Sequence, residues 1–286
     1  MCRLFALHAG KRDVAADFWL LDAPGSLAHQ SEINADGYGM AALTADDGLV
    51  LIRNPVQASE DRAYHHVARR LEACEMLVHL RYADTGSTSL LNTHPFNLDG
   101  RLFAHNGVVG DLDRLEAQLG ANRAMVMGET DSERFFAAIT LAIRAADGDV
   151  RAGIVAAVQQ IVADYELYSL NFVLSEIGHL WAFRYPEHNA LHLLQRSPGG
   201  LGGDAPLHQQ DAAGTLRVHS DDGSDTPIVV IASERISDEP GWEEIGSGEL
   251  VHVGPDLQVD RDTIVEGPPR HPMVLRGRAE KSQAYS

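Results

Sequence analysis

The sequence predicts an α+β fold in which two antiparallel sheets pack together and helices cover their outer faces. Three observations carry that prediction. Short apolar strands fill the first and last thirds of the chain. Two consecutive amphipathic helices lie between them, instead of helices alternating with strands as a parallel sheet would require. The composition, 44% apolar and 22% charged over 286 residues, suits a protein with a sizeable buried core. No break in composition marks a domain boundary. One domain over residues 2–266 is expected, with a tail from Gly267, where Pro268-Pro269 and scattered charge begin.

Residues 2–8 (CRLFALH) form a short apolar run and read as a buried strand. Residues 14–21 read as a short helix and 24–36 as a loop. Residues 37–43 (GYGMAAL) and 49–53 (LVLIR) read as paired strands around the turn Asp46-Asp47-Gly48. A helix is expected over 64–72, then a strand at 76–80 (MLVHL) that ends at Arg81. Residues 102–105 (LFAH) read as a strand closed by the turn pair Asn106-Gly107. Residues 111–119 are a helical candidate.

The clearest helix runs over 131–146, where Phe135, Ile139, Ala142, Ile143 and Ala146 recur at helical spacing. Thr130 or Asp131 can cap it, and Glu133 suits the positive end of its dipole. A second helix is expected over 153–165, with Ile154, Val158, Ile161 and Val162 on one face. Strands follow at 170–174, 179–183, 190–194, 228–232 and 249–253. Between them, 198–225 is rich in Gly, Asp, His and Ser and reads as loops with at most one strand.

The formal net charge of -18 repels phosphate backbones and argues against a nucleic-acid partner. Two cysteines, Cys2 and Cys74, make no disulfide framework. The first residues lack a secretory h-region, and no apolar run approaches the ~20 residues that span a bilayer. A cytoplasmic protein with no membrane partner is expected. The fourteen His are scattered, and His65-His66 has no HExxH-type spacing. The run Pro198-Gly199-Gly200-Leu201-Gly202-Gly203 lacks the lysine of a phosphate-binding loop. No metal or cofactor is therefore expected.

Four clusters carry candidate chemistry. Removal of Met1 would give Cys2 a free α-amine, whose ordinary pKa of about 7.7–8.0 suits a general base for the adjacent thiol. His79-Leu80-Arg81-Tyr82-Ala83-Asp84-Thr85-Gly86 delivers an Arg from an apolar strand into a polar turn, where it can grip a carboxylate. His105-Asn106-Gly107 offers a side-chain amide and a backbone N–H for an oxyanion. Gly128-Glu129-Thr130-Asp131-Ser132-Glu133 places carboxylates at a helix start, where one can meet an ammonium. Each has an ordinary structural explanation alone: a small residue after Met, a surface ion pair, a turn, a helix cap.

Together, and in this order, the clusters resemble the class II glutamine amidotransferase domain, a member of the N-terminal-nucleophile hydrolases. Residues 169–175 (SLNFVLS) and Ile231-Ala232-Ser233-Glu234, with Gly241-Trp242 beyond, look like the closing strands of small stand-alone members. The resemblance implies a four-layer αββα sandwich. It implies Cys2 as nucleophile with its α-amine as base, and Asn106 with the N–H of Gly107 as oxyanion donors. Arg81 would bind the substrate α-carboxylate and Asp131 the α-ammonium. Family members often carry Thr three residues after the Arg. Here that position is Asp84, followed by Thr85, and either can line the pocket. Gly37, in Asn34-Ala35-Asp36-Gly37-Tyr38-Gly39, matches an Asp-Gly-aromatic-Gly segment and is a further candidate for substrate approach. His94-Pro95 also matches, with His94 read as structural.

The implied substrate is glutamine or a small γ-glutamyl conjugate, hydrolysed through a γ-glutamyl thioester. The ergothioneine-pathway γ-glutamyl hydrolase resembles this layout. Two alternatives stand beside it. One is a glutaminase subunit that delivers ammonia to a separate synthetase, since too few residues follow Asp131 for a second catalytic domain. The other is an inactive γ-glutamyl-binding or interaction protein.

Overall fold

The computed structural model describes residues 1–83, 86–198, 207–210, 217–220, 226–278 and 280. The first part of the chain lays down β1 (Arg3–His8), β2 (Tyr38–Leu43), β3 (Leu49–Asn54) and β4 (Glu75–Leu80), with short helices α1 (Leu27–Gln30) and α2 (Arg62–Ala68) between them. Then come β5 (Phe96–Leu98), β6 (Arg101–Val109), α3 (Leu112–Leu119), α4 (Asp131–Ala145) and α5 (Val150–Asp164). The last part supplies β7 (Leu167–Glu176), β8 (His179–Arg184), β9 (His192–Arg196), β10 (Ile228–Ala232), β11 (Trp242–Glu244), β12 (Glu249–Val253) and β13 (Val259–Thr263).

One antiparallel sheet has the order β11-β9-β10-β1-β4-β2-β3, the other β13-β12-β8-β7-β6-β5. The period-2 alternation of each strand divides the core into layers. Phe5 and Leu7 of β1, with Met76, Val78 and Leu80 of β4, pack outward with Trp19, Leu27 and Tyr64. Leu4, Ala6 and Leu77 point inward and meet Leu102, Ala104 and Val173 of the facing sheet. Phe103 and Phe172 face the other way, into α4 and α5 through Phe135, Phe136, Ile139 and Val158. Helix, sheet, sheet and helix stack as an αββα sandwich.

Most predicted elements form near their expected places. α4 begins at Asp131 behind Thr130, whose hydroxyl accepts the Glu133 N–H at 3.2 Å. α5 begins earlier than expected because Asp149 caps it by accepting the Ala152 N–H at 2.9 Å.

Several regions depart from expectation. The stretch 24–36, expected as a loop, holds α1. The stretch 198–225, expected to hold at most one strand, holds two that pair antiparallel, Leu207–Gln210 and Arg217–Ser220. Residues 14–21 form no regular α-helix: Val14–Ala15 pairs with Glu72–Ala73, and Phe18–Asp22 makes a π-helical turn. Phe18, Trp19 and Leu20 are all buried there, which a one-faced amphipathic helix cannot arrange. α2 stops at Ala68, because Glu72–Ala73 is taken into that small pairing. Asn106-Gly107 is no turn: β6 runs straight through it, paired with Asn171 and Leu170. The segment from residue 267 is no free tail either. Leu167 donates to the His271 carbonyl at 3.0 Å, and Met273 donates back to the Leu167 carbonyl at 2.9 Å.

Candidate active site

The same alternation that sorts the core assembles a site at one end of it. Cys2 continues the inward parity of Leu4 and Ala6. Arg81 continues that of Leu77, and Asn106 that of Leu102 and Ala104. The register Arg3↔Leu80 sets Cys2 beside Arg81. Where the apolar inter-sheet layer ends, three polar side chains therefore converge from three strands. Asp131 joins them from the N-terminus of α4, and Cys2, Arg81, Asn106, Gly107 and Asp131 all line one pocket.

Each group is held. The Tyr82 N–H donates to the Cys2 sulfur at 3.3 Å, and the thiol lies 3.5 Å from the Tyr82 carbonyl. Cys2 is partly exposed and unbridged, whereas Cys74 is buried and donates to the Leu43 carbonyl. Burial pushes the Cys74 thiol up to about 11, so it is inert as a nucleophile at neutral pH.

Arg81 is buried and donates to the Ser87 carbonyl at 3.0 Å. That carbonyl also accepts from Asn92 at 2.9 Å. One oxygen of Glu129 gathers the loop by accepting from the Ser87 N–H, the Ser87 hydroxyl and Asn92, at 2.8, 2.8 and 2.9 Å. The Ser87 backbone bond, followed by the Ser87 hydroxyl and Asn92 bonds, holds the Glu129 carboxyl down at about 2. Glu129 thus serves to position Arg81, a role the sequence does not show.

Asp131 is 2% exposed, and its Oδ2 accepts the Val109 N–H at 2.8 Å. This bond ties the start of α4 to β6 just beyond Asn106-Gly107. Gly107 itself has no space for a side chain: a Cβ there would lie 1.9 Å from the Ser169 carbonyl oxygen. The glycine therefore serves close strand packing as well as access. His105 beside it is buried, with Nδ1 2.9 Å from the Ser132 hydroxyl. Burial lowers its pKa and favours a neutral ring.

The remaining expectations fall differently. Gly37 does not line the pocket. Its carbonyl accepts the Arg81 N–H at 2.8 Å, while Asp36 donates back to the Arg81 carbonyl at 3.1 Å, so it braces Arg81 from behind. Its φ of +143° suits glycine. Gly39 is the tighter position of that segment, since a Cβ there would lie 1.8 Å from the His94 carbonyl oxygen. Asp84, Thr85 and residues 199–203 lie outside the described residues. His94 joins the pocket wall and packs at a tilt against His79, with ring centroids 4.1 Å apart. Burial first, and then neighbouring positive charge, lowers both rings' pKa values.

Sequence patterns also give no sign of Met1, Tyr168 and Leu275 in the pocket wall. With Met1 in place the pocket has a volume of about 40 Å³. At roughly 10–15 Å³ per water, that admits a few waters and no amino acid. Among the described residues, no group of His, Cys, Asp and Glu is placed to hold a metal ion, and no helix is long and apolar enough to cross a membrane.

Comparisons with known proteins converge on this architecture. The family model of the class II glutamine amidotransferases matches residues 1–263. The uncharacterised protein MJ1515 of Methanocaldococcus jannaschii is 28% identical over 262 residues, spanning 88% of this chain and 68% of its own length. The structure of glutamine phosphoribosylpyrophosphate amidotransferase from Bacillus subtilis superposes with a TM-score of 0.63 at 14% identity. The match covers 93% of this chain, which spans only 50% of that one. A predicted glutamine amidotransferase of Pseudomonas aeruginosa matches over 90% of this chain and 99% of its own, with a TM-score of 0.59 and 22% identity. At such identities the two solved structures speak for the fold, that of the N-terminal-nucleophile amidotransferases.

Proposed function

The chain belongs to the class II glutamine amidotransferase family, and from that premise we propose that it hydrolyses a γ-glutamyl amide with the thiol of Cys2. The observation that carries the proposal is the convergence of Cys2, Arg81, Asn106, Gly107 and Asp131 on one pocket from separate elements. A thiol, a buried cation, a buried anion and amide donors are the set an amino-acid amide requires.

Excision of Met1 frees the Cys2 α-amine and removes a residue from the pocket wall. The amine takes the thiol proton as sulfur attacks the γ-carbonyl. Asn106 and the Gly107 N–H receive the developing oxyanion. The amine then passes the proton to the leaving nitrogen, the C–N bond breaks, and a γ-glutamyl thioester remains on Cys2. Water attacks the thioester in the same way, releasing glutamate and the thiol. Arg81 meets the α-carboxylate and Asp131 the α-ammonium. Selectivity follows because the buried Arg81 and Asp131 carry charges complementary to the two ends of the amino acid.

Intact-mass measurement before and after 6-diazo-5-oxo-norleucine, on wild type and Cys2→Ala, tests the reading. One adduct on Cys2 of protein lacking Met1, and none on the variant, is expected. Retained Met1, or an unlabelled Cys2 at saturating reagent, refutes it.

A further inference from the structure

A second cavity of about 390 Å³ lies against the first, and the two share Met1 and Asn106 in their walls. Met1 is buried between them. Its loss therefore joins both spaces at the α-amine of Cys2, the group that protonates the leaving nitrogen in the mechanism above. An ammonia molecule needs about the 30 Å³ of a water, whereas cavities of roughly 300–1,000 Å³ hold small organic ligands. A site that only released ammonia has no need of such a space.

The charges in this cavity are not evenly satisfied. Arg3 pairs with Glu234 and donates to the Met1 carbonyl at 3.0 Å. Arg184 pairs with Glu244 at 2.8 Å and donates to the carbonyls of Asn189, Ile245 and Glu187. Once Met1 is lost Arg3 keeps Glu234 and the Cys2 carbonyl, 3.3 Å away, and Arg184 keeps all its partners, so both stay engaged with the protein. Arg235, exposed at the rim, has no ion-pair partner among the described residues. His192, on the same wall, has a buried Nδ1 without a hydrogen-bond partner. Burial, and then nearby Arg235 and Arg184 against the opposing pull of Glu244, keeps its pKa low, so the ring is neutral. In the Nδ1–H tautomer it is a donor. Among the described residues, the cavity wall therefore carries a cation without an ion pair, Arg235, and a buried ring nitrogen without a partner, His192 Nδ1.

Resting on the γ-glutamyl reading above, we infer that this cavity binds the leaving-group half of a γ-glutamyl amino acid, with Arg235 and His192 receiving its free carboxylate. The chain would thus act on γ-glutamyl peptides with a carboxylate on the departing residue, in preference to glutamine.

The test uses mature protein without Met1. Active sites are first counted by labelling with 6-diazo-5-oxo-norleucine. Hydrolysis of L-glutamine, γ-L-glutamyl-L-alanine and γ-L-glutamyl-L-alaninamide is then compared. Wild type is expected to favour the free acid over its amide by about tenfold in kcat/KM, the scale of one charge-assisted hydrogen bond. Arg235→Glu is expected to abolish or invert that ratio, and His192→Phe to narrow it. Should Arg235→Glu fail to fold, Arg235→Gln provides the same comparison. An unchanged acid-to-amide ratio, or glutamine outrunning both dipeptides while Cys2 is labelled, overturns this inference and leaves the Cys2 chemistry standing. Absence of labelling overturns both.

Discussion

Replacing Asp131 by Asn removes a charge while keeping the side chain's shape. The fold has reason to tolerate this, since the amide oxygen can still accept the Val109 N–H that Oδ2 accepts at 2.8 Å. The substrate does not. Asp131 is 2% exposed, so an ammonium bound beside it would sit in a largely dry site. Removing one partner of a buried pair costs about 3–5 kcal/mol. At 1.36 kcal/mol per factor of ten, kcat/KM for L-glutamine falls by roughly 10²–10⁴. A substrate cycle separates this from general damage. Glutaric acid monoamide has the reacting amide and the carboxylate but no ammonium. Wild type is expected to lose a similar factor on this analogue, and Asp131→Asn to lose little between glutamine and the analogue, because the interaction is already gone. If the variant is impaired by the same factor on both substrates, Asp131 does not hold the ammonium. Its role is then confined to anchoring α4 to β6.

Gly107→Ala places a Cβ 1.9 Å from the Ser169 carbonyl oxygen, backbone against backbone. A loss of at least the 1–3 kcal/mol typical of overpacking is expected in urea unfolding, together with loss of Cys2 labelling; unchanged stability would refute the strand-packing role. Glu75 is buried and its carboxyl is pushed from 4.5 up to about 6, chiefly by desolvation. A raised carboxyl pKa favours folding below 4.5, and this contribution is lost as pH rises through 6. The displacement corresponds to about 2 kcal/mol. The unfolding free-energy difference between wild type and Glu75→Gln should therefore change by about 2 kcal/mol between pH 4.5 and 7; a constant difference refutes the assignment. Deleting residues 268–286 removes the backbone bonds from Leu167 to His271 and Met273, and the Leu275 wall of the pocket. A lower Tm and a KM for glutamine raised about tenfold are expected, by the net worth of one to two hydrogen bonds. Unaltered kinetics would show the segment to be a bystander.

The sequence holds much of this site because strand parity is written in it. Cys2 with Leu4 and Ala6, Arg81 with Leu77, and Asn106 with Leu102 and Ala104 follow the same two-residue step. What single strands cannot show is which of them meet. The register that sets Cys2 beside Arg81 is a pairing between segments more than seventy residues apart in the chain. The same gap explains the errors. Asn106-Gly107 has the local chemistry of a turn, yet β7 pairs across it and holds it extended. Gly37 looks suited to approach a substrate, but the pairing of Asp36 and Gly37 with the Arg81 backbone turns it into a brace. Glu129 looks like one more helix-start carboxylate, and only the folded loop makes it the clasp on Ser87. The second cavity lies furthest from the sequence. Met1, His192 and Arg235 belong to three distant segments and to no motif. On the proposed reading, the nucleophile and the γ-glutamyl grip follow from recurring local patterns, whereas the leaving group would be set by surfaces that only tertiary pairing brings together. Enzymes that share the first set can differ in the second, and the inference drawn from the second cavity places this chain's substrate choice there.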